Sequence, residues 1–134
     1  MNIGILTVFE KKNENNSACL KSLTEAVEKK GHTANVLDGT SREEIRLSHY
    51  EYVIVATHPR SFFSGNLPER VAECLAQGGS LIGKKSCGLI FKPGLMLNKA
   101  CANLMAAMEK EGMVLDYSDI VPDTEYAGIV GKKF

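Results

Sequence analysis

The chain has 134 residues, of which 44% are hydrophobic and 24% charged, and its 16 basic side chains balance its 16 acidic ones. This length suits one domain with a single core, and the balanced charge predicts neither a nucleic-acid partner nor an anionic-membrane partner. The apolar runs are far shorter than the roughly 20 residues that span a bilayer, and no basic region precedes an apolar segment at the start. We therefore expect a single cytoplasmic domain over residues 1–134.

The four cysteines lie at wide and unequal spacings, and no Cys-x-x-Cys pair is present. This spacing signals neither a zinc site nor a redox pair. A free cysteine packs as a small hydrophobic side chain. We predict core positions for all four cysteines and no metal site.

The first third of the chain predicts a strand, a helix, a second strand and a short helix. Residues 3–9 form a nearly continuous apolar run, which is typical of a strand covered on both faces. Ser17 is a good N-cap for an amphipathic helix that Gly31 ends, and residues 34–37 form a second strand. A brief helix is predicted over residues 41–47, because its first four residues match a capping box.

The rest of the chain continues this alternation of strands and helices. The predicted elements are a strand at 52–57, a helix at 67–78, a strand at 87–91, a helix at 97–112 and a fifth strand that starts at 113 and resumes around 120–121. Residues 122–134 show no clear period and are predicted to be an irregular tail. The alternation predicts an α/β fold, namely a doubly wound, open, parallel five-stranded sheet with helices on both faces.

Ligands of doubly wound sheets bind beyond the carboxyl ends of the strands, where the strand order reverses. Three predicted loops lie at this edge, over residues 10–16, 58–66 and 92–97. The first loop ends at a helix N-terminus, which favours anions because its N–H groups have no intrahelical partner. A phosphorylated small molecule is therefore the ligand that this edge predicts.

The loop sequences also resemble those of a known family. The stretch Asn13-Glu-Asn-Asn-Ser17 leads into a helix, and Thr57-His-Pro59 is followed by two aromatics and then by Gly65-Asn-Leu-Pro68. In this order they resemble the loops of the flavodoxin-like, NAD(P)H-dependent FMN reductases, over roughly residues 1–117. The resemblance implies a three-layer flavodoxin-like fold, non-covalent FMN binding, and electron transfer from NADH or NADPH to a flavin-type or quinone-type acceptor.

The same resemblance implies which residues bind the cofactor. Side chains and backbone N–H groups of Asn15, Asn16 and Ser17 would hold the phosphate. The flavin ring would lie against a second set of residues, Thr57, His58, Pro59, Arg60, Phe62, Phe63 and Gly94. Among these, His58 is a candidate donor to a flavin carbonyl, and Arg60 is a candidate partner for the phosphate of a pyridine nucleotide. No catalytic acid or base is required, so no catalytic residue is predicted.

Other features of the loops keep a different class of function open. The first loop has no glycine, and its Glu10 and Glu14 would repel a phosphate unless Lys11 and Lys12 intervene. The aromatic side chains of the second loop could pack onto the core instead of onto a ring. The alternative is a flavin-free module that binds a partner or another small ligand. In this alternative, a second subunit would cover the face that a missing C-terminal helix leaves bare, and the two copies would form a homodimer.

Overall fold

The computed structural model describes residues 1–11, 13–41 and 43–134, so Lys12 and Arg42 lie outside the described residues. Five strands and four α-helices make up this part of the chain. In order they are β1 (Asn2–Val8), α1 (Glu14–Lys29), β2 (Thr33–Asp38), a 3-10 turn (Leu47–His49), β3 (Tyr52–Thr57), α2 (Glu69–Gln77), β4 (Lys85–Phe91), α3 (Leu97–Lys110), β5 (Val114–Val121) and α4 (Thr124–Gly131). No helix within the described residues is both long and apolar enough to cross a membrane.

The five strands form one parallel sheet in the order β2-β1-β3-β4-β5. Every residue of β3, and nearly every residue of β1 and β4, is buried. These are the three central strands, which explains their nearly continuous apolar sequence. The sheet is covered by α1 and α4 on one face and by α2 and α3 on the other. The prediction of a doubly wound parallel α/β sheet is confirmed, and the strand order reverses between β1 and β3.

Cysteine side chains occupy the interior in three of the four cases. Cys19, Cys74 and Cys87 are buried and Cys101 is half-buried, and all four are unpaired. Burial raises the pKa of each of these thiols above its ordinary value. A raised pKa leaves less of the reactive thiolate at neutral pH, so these side chains act as packing groups.

The helix predicted over residues 41–47 is wrong in the described part of that stretch. The Ser41 hydroxyl accepts a hydrogen bond from the N–H of Glu43 at 3.1 Å, which closes a local turn and does not cap a helix. A 3-10 turn follows and places Leu47 in the core with no exposed surface. The Lys84 ammonium then holds the connection by donating to the carbonyls of Ser48 at 3.2 Å and Tyr50 at 2.5 Å.

The irregular tail predicted over residues 122–134 is also wrong, because α4 forms there. The Asp123 side chain caps this helix by accepting from the N–H of Tyr126 at 2.8 Å, and Ala127 and Val130 are fully buried. The helix packs beside α1, so it covers the face that the sequence predicts to be bare. The fifth strand is likewise continuous, and a bulge opposite Ser86 and Cys87 accounts for its irregular pattern.

Candidate functional site

Three loops meet at the carboxyl edge of the sheet, as the topology requires. We call them the first loop (residues 9–13, after β1), the second loop (58–68, after β3) and the third loop (92–96, after β4). They enclose a cavity of about 240 Å³ with α1. Its lining consists of Lys11, Asn13, Asn16, His58, Pro59, Arg60, Ser61, Phe62 and Pro93. We call this space the loop cavity.

The first loop ends at an N-cap one turn earlier than predicted. Asn13, and not Ser17, caps α1, since its Oδ1 atom accepts from the N–H groups of Asn15 at 2.8 Å and Asn16 at 3.3 Å. The N–H of Ser17 donates to the Asn13 carbonyl at 3.0 Å. The three N–H groups predicted to hold a phosphate therefore already have partners within the chain. Asn15 and Ser17 are exposed on the outer side of α1.

Asn16 is the polar side chain that stands out at this site. It is only 3% exposed, it lines the loop cavity, and its Oδ1 atom is buried without a hydrogen-bond partner among the described residues. Leaving such a group unpaired costs about 1–3 kcal/mol, and buried polar groups in folded proteins almost always have a partner. The Oδ1 atom is thus positioned to accept a hydrogen bond from a hydroxyl or N–H group that enters the cavity.

His58 connects the first and second loops. Its Nε2 atom accepts from the N–H of Glu10 at 3.0 Å, and its Nδ1 atom lies 2.8 Å from the carbonyl of Pro59. Because an N–H donates to Nε2, the ring hydrogen belongs on Nδ1, which donates to Pro59. The ring also stacks on Phe9, with centroids 5.5 Å apart. Both ring nitrogens are therefore already used, which leaves His58 a positioning role between the two loops.

Arg60 neutralises part of the negative charge that surrounds the loop cavity. Its Nε atom lies 3.8 Å from the Glu10 carboxylate, and its Nη1 atom lies 3.7 Å from the Glu69 carboxylate. Lys11 lines the same cavity, and its cation adds to the positive charge. The repulsion that Glu10 would exert on an anion is thus countered by Arg60 of the second loop as well as by Lys11, whereas the sequence predicted Lys11 and Lys12 for this role.

The aromatic residues of the second loop stand out towards solvent. Phe62 is 48% exposed and Phe63 is 79% exposed, and their rings pack edge to face. The third loop joins them through a hydrogen bond from the N–H of Leu95 to the Phe62 carbonyl at 2.8 Å. These two side chains therefore do not plug the loop onto the core, and their rings are available to a flat ligand.

Thr57 and Gly94 shape the loops at this edge. The Thr57 hydroxyl is buried and donates to the Val8 carbonyl at 2.7 Å, which holds the ends of β1 and β3 together. A Cβ atom on Gly94 would lie 3.1 Å from the Pro59 ring and 3.0 Å from Leu97, so a glycine lets the third loop approach the second closely. Thr57 and Gly94 therefore position the loops that surround the cavity.

Of the ten predicted site residues, five line the loop cavity. They are Asn16, His58, Pro59, Arg60 and Phe62. Sequence reasoning did not select Lys11, Asn13 or Pro93 as site residues, although they also line it. Asparagine is as good an N-cap as serine, so Asn13 could have been recognised as an alternative start for α1.

Comparison with solved structures places the whole chain in one architecture. A mutant flavodoxin from Pseudomonas aeruginosa superposes with a TM-score of 0.77 at 14% identity, over 100% of this chain and 96% of that one. The fold is flavodoxin-like. Flavodoxin 1 from Bacillus cereus gives a TM-score of 0.73 at 14% identity, over 96% of this chain and 94% of that one. A short-chain flavodoxin associated with a bacterial microcompartment gives 0.75 at 12% identity, over 98% and 95%.

The sequence comparisons add no closer relationship. No protein-family model matches the sequence, and no curated protein matches it. At 12–14% identity the flavodoxin-like likeness lies in the backbone architecture. A shared fold does not imply a shared function, which depends on the residues of the site.

Proposed function

We propose that this chain binds a flavin mononucleotide at the loop cavity and takes part in electron transfer. The observation that supports it most is the buried Asn16 side chain, which lines a cavity where three loops meet and whose Oδ1 atom has no partner in the part of the chain that the structure describes. The position matches the general rule for ligand sites in doubly wound sheets. The flavodoxin-like neighbours support the same class of ligand.

Side chains would hold the phosphate in this proposal, because Asn13 already engages the helix N–H groups. Lys11 and Arg60 would supply positive charge to the phosphate, whereas the Asn16 Oδ1 atom, which is an acceptor, would bond to a hydroxyl or N–H group of the nucleotide. Arginine and lysine are suitable phosphate partners, and Arg60 also offsets the Glu10 carboxylate. This arrangement makes binding sensitive to salt, since it depends on exposed cations.

The ring of the flavin would lie largely outside the cavity. A volume of about 240 Å³ is smaller than the 300–1,000 Å³ that small-molecule sites usually offer, so it would enclose only part of the nucleotide. The exposed rings of Phe62 and Phe63 would cover the remainder. When bound, a flavin supplies the capacity to accept and pass on electrons or hydride. The chain's residues would orient it and exclude water, and NADH or NADPH would be the electron donor.

The proposal is tested by titrating FMN and following the quenching of its fluorescence. We expect wild-type protein to quench it, and Asn16→Ala to weaken binding about tenfold, which is about 1.4 kcal/mol. Asn35→Ala, an exposed asparagine on the edge strand β2, is the control and should bind as wild type does. An unquenched signal at high micromolar FMN with folded wild-type protein would overturn the proposal. Bleaching of bound flavin by NADH or NADPH would test the electron donor.

One observation favours the alternative of a flavin-free binding module. Asn13 occupies the N–H groups of Asn15 and Asn16, and the first loop has no glycine to bring its backbone near a phosphate. Such a module would bind a partner or another small anion at the same cavity. Thermal unfolding with inorganic phosphate, riboflavin and FMN separates the two functions. Stabilisation by phosphate alone, with none from riboflavin or FMN, would favour the alternative.

A further inference from the structure

The hydrogen bond from the Glu10 N–H to the Nε2 atom of His58 exists only while the imidazole ring is neutral. The ring hydrogen lies on Nδ1, which donates to the Pro59 carbonyl, so Nε2 offers its lone pair to Glu10. A protonated ring carries a hydrogen on both nitrogens and can accept at neither. Histidine is also the side chain whose ordinary change of charge falls between pH 5 and 8. The connection between the first and second loops therefore depends on the protonation of one side chain.

The surroundings of His58 hold its ring in one orientation. The residue is only 5% exposed, and its ring stacks on Phe9 with an angle of 12° between the two planes. A hydrogen added to Nε2 would point at the hydrogen of the Glu10 N–H, across the 3.0 Å that separates the two nitrogen atoms. Glu10 and Lys11 are exposed, whereas the ring is enclosed. The first loop is therefore the part that moves away when the ring takes up a proton.

The first loop depends on this hydrogen bond for its position. Among the described residues, the N–H of Glu10 is the only backbone group of Glu10 and Lys11 that has a hydrogen-bond partner. Lys11 follows directly and Asn13 caps α1, and both of them line the loop cavity. Loss of the bond to His58 therefore releases the segment that brings the Lys11 cation to the cavity.

The charged groups near the ring do not favour a second positive charge in the cavity. Glu10 and Lys11 come from the first loop and Arg60 comes from the second, and the Glu10 carboxylate lies 3.8 Å from the Arg60 Nε atom. The residues that α1 and the third loop contribute to the lining are uncharged, namely Asn13, Asn16 and Pro93. The described lining thus contains two cations and no carboxylate, so an imidazolium there would have no acidic partner.

We infer that His58 makes binding at the loop cavity dependent on pH, because it holds the first loop in place only while its ring is neutral. The consequence for FMN rests on the function proposed above, whereas the change in the first loop does not. Binding and protonation are linked in both directions, so a ligand that needs Lys11 in the cavity also favours the neutral ring. Neutral pH therefore retains the ligand and acid releases it.

His58→Gln separates the hydrogen bond from the proton. The side-chain oxygen of glutamine can accept from the Glu10 N–H, but glutamine does not titrate. Nuclear magnetic resonance of the free, ¹⁵N-labelled chain follows the Glu10 amide as the pH is lowered from 8 to 5. We expect its resonance to shift in wild type and in the control His49→Gln, which changes an exposed histidine, and to stay in place in His58→Gln. A wild-type resonance that does not respond to pH would overturn the inference, whether or not His58→Gln folds.

The second measurement compares the affinity for FMN at pH 8 and pH 5 by fluorescence quenching. The phosphate of FMN itself takes up a proton near pH ~6, but this affects wild type and variants alike. We expect the loss of affinity in acid to be about tenfold greater in wild type and His49→Gln than in His58→Gln. Equal losses in all three proteins would overturn the inference. A Glu10 amide that responds to pH in a chain that binds no FMN at either pH would support the loop connection and reject the flavin function.

Discussion

The Nε2 atom of His58 accepts a hydrogen bond from the backbone N–H of Glu10 at 3.0 Å, which ties the second loop to the first. We predict that His58→Phe lowers the free energy of unfolding by about 1–3 kcal/mol, because it leaves a partly buried N–H unpaired. Phenylalanine preserves the stacking on Phe9, so the hydrogen bonds are the main loss. Urea unfolding measures the change. His49→Ala, at an exposed position, is the control, and equal losses in both variants would contradict the prediction.

The residue at which α1 begins can be tested by substituting its two candidate N-cap residues in turn. Asn13→Ala should destabilise the protein by about 1 kcal/mol, because it removes the acceptor for the N–H groups of Asn15 and Asn16. Ser17→Ala should leave the free energy of unfolding nearly unchanged, since Ser17 lies inside the helix with its side chain exposed. Urea unfolding of the two variants distinguishes the caps. A larger loss for Ser17→Ala would show that the helix begins at Ser17.

The docking of α4 depends on a close approach at Gly131. A Cβ atom there would lie 2.5 Å from the Ala26 Cβ and 2.8 Å from the Leu23 carbonyl oxygen. Gly131→Ala should therefore destabilise the protein by about 1–3 kcal/mol through overpacking. At Gly128 the added atom meets only the Ser22 hydroxyl at 3.2 Å. Gly128→Ala should be neutral or stabilising in thermal unfolding, since alanine favours the helix. An unchanged melting temperature in Gly131→Ala would contradict this close packing of α4 on α1.

Acid should weaken the contact between β5 and α4 through Asp119. Its carboxylate accepts from the hydroxyls of Tyr117 and Tyr126 and from the N–H of Ile120 at 2.7 Å. Desolvation opposes ionisation, but these hydrogen bonds and the Lys133 cation outweigh it, so the pKa of Asp119 lies below its ordinary value. The unfolded value is about 3.9. Since the pKa of Asp119 is lower in the folded state, its stabilisation of the fold is complete above the unfolded-state pKa. This stabilisation is lost as the pH falls through the folded-state pKa.

Asp119→Asn checks this pH dependence. The variant should be less stable than wild type at pH 7 in urea unfolding, and the difference should shrink as the pH falls below about 4. Tyr126→Phe removes one of the donors and should give an intermediate profile. A difference between wild type and Asp119→Asn that stays constant down to the acid transition would contradict the prediction.

The sequence by itself determined the sheet and the edge at which a ligand site would lie. The three central strands are buried on both faces, so their apolar runs are unbroken and easily recognised. Parallel strands that alternate with helices bring their following loops to one edge, which is where the loop cavity lies. These features follow from hydrophobic pattern and chain direction alone.

Contacts in the tertiary structure selected between local structures that the sequence alone did not distinguish. Asn13 and Ser17 are both good caps, and α1 begins after Asn13, where His58 secures the first loop at Glu10. The last helix has only eight residues and contains Gly128 and Gly131, so it is weak alone and forms by packing on α1. The burial of Asn16 also depends on the loops that surround it. Each outcome rests on contacts between distant segments, which no local pattern contains.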